Sequence, residues 1–157
     1  MSISVVYDTM LFFQAASRPH RISATWQAIQ DRRVNLSVSL ELLAEIQDVL
    51  SRPEYRAKFP ALTAVAVDAF IADISAKATI VQPVPHAFTW SEHPDDDHVF
   101  NLAICAQAEY LVTWEKRILK LPGGVSPAAI SLQRLAPRLQ IVNPEHFAQV
   151  IYPRQDA

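Results

Sequence analysis

Four carboxylates stand out by where they fall. Asp8 follows the run Ile3-Ser4-Val5-Val6-Tyr7, and Glu45 lies seven residues beyond Val38. Asp97 closes the run Asp95-Asp96-Asp97, and Glu115 follows Leu111-Val112-Thr113-Trp114. Brought to one edge of a fold, they make a donor set of oxygen only. Such a set suits a hard divalent cation such as Mg²⁺ or Mn²⁺. Two ions about 3.5–4 Å apart can activate a water and stabilise the leaving oxygen of a phosphodiester. Each acid alone has a simpler explanation. Asp8 fits a helix cap, and Glu41 with Glu45 fits a solvated helix face. Asp95, Asp96 and Asp97 fit an acid cluster favoured by a helix dipole, and Glu115 fits an ion pair with Lys116, Arg117 or Lys120. One acid suffices as a cap, however, and three adjacent acids repel one another. Asp97 is therefore preferred over Asp96 for a further role, and the convergence of four segments carries the functional reading.

The elements that must position these acids follow from residue type and period. Ile3 to Tyr7 is β-branched and aromatic and reads as a buried strand ending at Asp8. Val34–Val38, Ala78–Val81, Tyr110–Thr113 and Leu139–Val142 read as four more strands. Helical period is expected near 10–17 and 22–32. Ser39 is expected to cap a helix whose stripe is Leu40, Leu43, Ile46 and Leu50. Further helices are expected over 61–76 and from about Asp96 to Gln107, and Pro144 opens a last one. Pro53 ends one helix or opens the next turn, and Gly123-Gly124 makes a surface turn. Strands alternating with helices predict an α/β fold: a three-layer α/β/α sandwich on a five-stranded, mostly parallel sheet. Ligands in such sheets collect at the C-terminal strand ends, where strand order reverses.

Composition bounds the alternatives. The 157 residues are 50% hydrophobic and 19% charged. This predicts one domain over 1–150 with a short tail over 151–157, and it excludes disorder, collagen and coiled coil. Fourteen bases against 16 acids leave a net charge of -2. That argues against a strongly basic nucleic-acid module but leaves room for nucleic acid handled through metal ions. Cys105 has no partner for a disulfide, so a reducing cytoplasm is expected. The start, MSISVVYDTMLFF, has no basic n-region and is not expected to be a signal peptide. No apolar stretch approaches a membrane span. With only Gly123 and Gly124, a glycine-rich phosphate loop is excluded.

The chain resembles the PIN-domain family, near its bacterial toxins of type II toxin–antitoxin systems (VapC-like ribonucleases). The resemblance rests on Val5-Val6-Tyr7-Asp8-Thr9, Ser39 to Ile46 with Val49-Leu50-Ser51-Arg52-Pro53, Pro94 to Val99, and Ala108 to Lys116. It covers roughly residues 3–145. It implies a metal-dependent ribonuclease that cleaves RNA with Mg²⁺ or Mn²⁺. Asp8, Glu45 and Asp97 match its three most typical acids, Glu115 a fourth that is usually aspartate, and Thr113 a hydroxyl residue near the metal. Asp8, Asp97 and Glu115 would hold metal, with Glu45 completing the set or orienting water. Asp96 and Glu41 are accessory candidates. Arg52, Lys116 and Arg117 are the candidates for the RNA backbone, with Arg18, Arg21, Arg56 and Lys120 behind them. The resemblance also implies a cognate antitoxin and a homodimer. Two positions depart from the family: Met10 replaces an asparagine and Trp114 a glycine.

Those departures motivate a second reading, a catalytically degenerate PIN module that binds RNA or a protein partner without cleavage. Trp114 itself reads either as a packing residue or as a stacking face for a base. A phosphatase of the haloacid dehalogenase type would want a second acid where Met10 stands. His93 and His98 read as surface loop residues, and Cys105 as core within an apolar helix.

Overall fold

The computed structural model describes residues 2–154. Five strands form the sheet: β1 (Ile3–Tyr7), β2 (Val34–Val38), β3 (Thr79–Ile80), β4 (Tyr110–Val112) and β5 (Gln140–Val142). Their order is β3-β2-β1-β4-β5 and every pairing is parallel. The expectation of a mostly parallel sheet is thus met by a wholly parallel one. Val5, Val6 and Tyr7 are fully buried because β1 is central and covered on both faces. Apolar residues fill both sides of such a strand, so its sequence runs unbroken rather than alternating.

Helices α1 (Thr9–Ser17) and α2 (Ala24–Gln30) link β1 to β2. Helices α3 (Leu40–Leu50), α4 (Pro53–Lys58) and α5 (Ala64–Lys77) link β2 to β3. A 3₁₀ turn (Pro94–Asp96) and α6 (Asp97–Cys105) lead into β4, and α7 (Lys116–Leu119) and α8 (Pro127–Leu135) into β5. Helix α9 (Pro144–Ile151) closes the fold. The helices cover the sheet as the outer layers of an α/β/α sandwich. Ser39 caps α3, its hydroxyl accepting from the Leu42 N–H at 3.0 Å. Leu42, Leu43, Ile46, Val49 and Leu50 then form the buried face of α3. Each large apolar side chain so buried contributes about 1.5–3 kcal/mol.

Several expectations need correction. Leu40, expected in the apolar stripe of α3, is exposed, and Leu42 and Val49 join Leu43, Ile46 and Leu50 on the buried face instead. Helix α8 was not anticipated, because its buried positions are few (Ala129 and Leu132) and leave a weak apolar period. Cys105 is exposed at the last position of α6, where the helix turns away from the core. His98 is not in a loop; it is the second residue of α6 and packs toward α3 through an ion pair. Of the tail expected over 151–157, Ile151 still belongs to α9, and residues 155–157 lie outside the described residues.

Candidate active site

Strand order reverses between β1 and β4. The chain steps outward from β1 through β2 to β3, then crosses back to lay β4 on the opposite side of β1. The C-terminal ends of β1 and β4 therefore lie side by side, with Tyr7 in register with Val112. The next residues, Asp8 and Thr113, meet there. The Thr113 hydroxyl donates to Asp8 Oδ2 at 2.8 Å and accepts from the Glu115 N–H at 3.0 Å. Thr113 is fully buried, so this hydroxyl has no water to turn to.

Asp8 also caps α1, its Oδ1 accepting from the Thr9 N–H at 2.8 Å. The cap explanation and the site explanation both hold for the same carboxylate. Burial raises the Asp8 pKa above its ordinary value; the hydrogen bonds from Thr113 and Thr9 oppose this, and the like charges of Glu45 and Asp96 add to it.

Two basic side chains stand among the acids. His98 Nε2 lies 2.6 Å from Glu45 Oε2. Burial of the ring disfavours its charge, but the Glu45 hydrogen bond and the fields of Glu45, Glu41 and Asp8 outweigh that, so the His98 pKa is raised. On the other side, Arg117 donates to Asp96 Oδ2 through Nε at 2.9 Å and lies 2.6 Å from it through Nη2. Its Nη1 is 3.8 Å from Glu115 Oε1. The charges of Asp96, Glu115 and Asp8 all act on this guanidinium.

The structure thus gathers Asp8, Glu45, Asp96 and Glu115 about Arg117 and His98. Asp97 opens α6 between Asp96 and His98 and is half-buried, while Asp95 is exposed. Glu41 is exposed, yet its charge still reaches His98. Lys116 begins α7 at the edge of this cleft. Arg52 lies beyond the C-terminal end of α3, at the cap of α4, and pairs with Asp48 at 3.2 Å. Arg18 and Arg21 line a separate groove of about 450 Å³ with Trp26, Leu62 and Phe70; none of the four acids is in its lining.

Two positioning residues escaped the sequence. His98 is one. The other is Asn101, buried in α6, whose Oδ1 accepts from the Ala87 and Phe88 N–H groups, each at 2.8 Å. Its Nδ2 donates to the carbonyls of Phe88 at 3.0 Å and Asp97 at 3.1 Å. An asparagine three residues after His98 on an apolar face was the available signal.

The donor set fits a hard cation in its chemistry, being carboxylate oxygen throughout. Its geometry here is balanced by side chains instead. Among the described residues, no group of three or more His, Cys, Asp or Glu stands ready to hold a metal ion. Arg117 is the cation now lodged against Asp96.

Parallel strands, a reversed strand order and a carboxylate cluster at the reversal define an α/β protein with an acidic site at its switch point. A PIN domain family model matches residues 4–117, a span that contains every acid of the cleft, and the chain belongs to that family. PIN domains are generally nucleases that use divalent metal ions. No curated protein and no solved structure matches the chain.

Proposed function

We propose that the protein is a Mg²⁺- or Mn²⁺-dependent endoribonuclease and the toxin of a toxin–antitoxin pair. The observation that supports this reading most is the bond between Thr113 and Asp8, which fixes a half-buried carboxylate at the switch point among Glu45, Asp96 and Glu115. A bound divalent cation supplies charge that activates water and balances the charge developing on the leaving oxygen. Asp8, Asp97 and Glu115 would hold it, with Asp96 joining once Arg117 releases its carboxylate.

The remaining steps belong to the chain. Thr113 and the Thr9 N–H hold Asp8 in one orientation, each bound to one oxygen, so each oxygen keeps a second lone pair for a ligand. Glu45, steadied by His98, accepts a hydrogen bond from the attacking water and orients it. Arg117, freed from Asp96, turns to a phosphate, for which its planar fork is well shaped. Lys116 adds a second phosphate contact. An antitoxin in this reading masks the acidic cleft, and the active form is a cytoplasmic homodimer.

The decisive assay is cleavage of a single-stranded RNA by the purified protein with Mn²⁺, with Mg²⁺ and with EDTA. Cleavage with either ion and none in EDTA supports the nuclease. The second reading, an RNA-binding module that does not cut, is favoured by one observation: Asp96 already pairs with Arg117 and Glu45 with His98. Calorimetry separates the two. Absence of Mn²⁺ binding near millimolar metal supports the non-cleaving module.

A further inference from the structure

The chain has three tryptophans, and two are absorbed by packing. Trp26 stacks on Phe70 with ring centroids 5.0 Å apart. Trp90 is buried against Phe100 and His93. Trp114 differs: it is 40% exposed, although the residue before it is fully buried against Asp8.

Its exposure is not looseness. The indole Nε1 donates to Gln14 Oε1 at 3.0 Å, tying the polar tip of the ring to α1. That bond leaves the flat faces to decide what the residue does. Gln14 and Met10 lie four residues apart on one face of α1, and Met10 is also exposed, at 41%. Asp8 caps the same helix immediately before them. A fixed aromatic ring and an exposed thioether thus border the half-buried Asp8 carboxylate. Arg117 follows three residues later, with its guanidinium above Asp96. A flat apolar face beside a cation suits a nucleotide: the ring takes the base and the cation its phosphate.

We propose that Trp114 is a nucleobase platform, a specificity-determining residue that selects an unstacked base in a single strand. The proposal rests on the reading of RNA as substrate and adds to it the feature of the RNA that is chosen. A duplex keeps its bases stacked on one another and cannot offer a face to the ring. Restraint by Gln14 lowers the ordering cost of stacking, because the ring is already placed.

The test measures binding of a labelled single-stranded oligoribonucleotide by fluorescence anisotropy, with Ca²⁺ as the divalent ion and a gel confirming that the RNA stays intact. Trp114→Ala is expected to weaken binding about 5- to 150-fold, the range that loss of one base–aromatic stack spans. Trp114→Phe, which keeps a ring without the Nε1 donor, restores most of it. An oligonucleotide with abasic positions binds the wild-type protein as weakly as the intact one binds Trp114→Ala. Circular dichroism and Mn²⁺ affinity are unchanged in both variants. If Trp114→Ala binds the intact strand as the wild type does, or the duplex binds as tightly as the single strand, the platform is wrong while the nuclease reading stands. If the wild-type protein binds no RNA at all, the reading beneath it falls and takes the platform with it.

Discussion

Asp8 carries two loads at once. It caps α1 and it accepts from Thr113, yet burial and the charges of Glu45 and Asp96 raise its pKa. The folded protein therefore holds the Asp8 proton to higher pH than the unfolded chain does. Stability from this group falls as pH rises from the ordinary 3.8 through the raised value. Asp8→Asn keeps an oxygen for the cap and removes the charge. At pH 7 in EDTA its unfolding midpoint should equal or exceed that of the wild type. Cleavage of RNA should fall by more than about 100-fold, beyond what loss of an outer-shell partner costs. Thermal denaturation beside a gel assay measures both, and a variant that cuts normally sinks the assignment. His98 works in the same sense, through its charged form rather than its neutral one. Its pKa is raised above the ordinary 6.5, so the Glu45 pair stabilises fully below that pH and is lost as pH rises through the raised value. Glu45→Gln in metal-free protein should lower the His98 pKa, read by NMR titration of the ring, and flatten the loss of stability above pH 6.5.

Elements place these residues, and some elements were easier to read than others. Strands β1 and β4 were plain in the sequence because both faces are covered, which leaves the apolar runs Val5-Val6-Tyr7 and Tyr110-Leu111-Val112 just ahead of Asp8 and Thr113. The cap of α3 was plain because a serine before an apolar stripe has few other uses. Helix α8 was hidden by its mostly exposed surface, and the exposure of Cys105 by the apolar residues before it. The meeting of His98 with Glu45 was illegible for another reason: it joins α6 to α3 across the fold, and no local pattern encodes the distance. Asn101 shares that property. Three of its four bonds tie the segment around Ala87 and Phe88 to α6, and the fourth reaches the Asp97 carbonyl at the start of that helix. Asn101→Leu leaves two backbone N–H groups and a buried carbonyl without partners, and each such loss costs about 1–3 kcal/mol. Chemical denaturation should show a total loss of about 2–4 kcal/mol, since relaxation and water recover part of the sum. Hydrogen exchange at the Ala87 and Phe88 amides should speed up first. Unaltered exchange there would show that the segment is held by something else.

At the scale of the whole molecule the question is how a chain of net charge -2 attracts a polyanion. Setting aside Asp8, Glu45, Asp97 and Glu115 leaves 12 acids against 14 bases. The repulsion is thus concentrated in the cleft that RNA would enter under the proposed function. A divalent ion bound there reverses the local sign. In the proposed reading it also releases Arg117 from Asp96, and a second cation becomes free to meet phosphate. Affinity for RNA should therefore be weak in EDTA and rise steeply with Mn²⁺, more steeply than nonspecific screening by the same ionic strength of Na⁺ could produce. The salt dependence provides the count. Two phosphates neutralised on a single strand give a slope of log affinity on log salt of about -1.4. Lys116→Ala should remove about 0.7 of it, the share of one contact. Arg117→Ala should do the same with Mn²⁺ present, yet leave the slope unchanged in EDTA, where Asp96 already occupies the guanidinium. The same variant should bind Mn²⁺ more tightly by calorimetry, because no cation has to be displaced. Equal slopes for Arg117→Ala and wild type under both conditions would mean that Arg117 never leaves Asp96, and that the cleft recruits RNA through other residues.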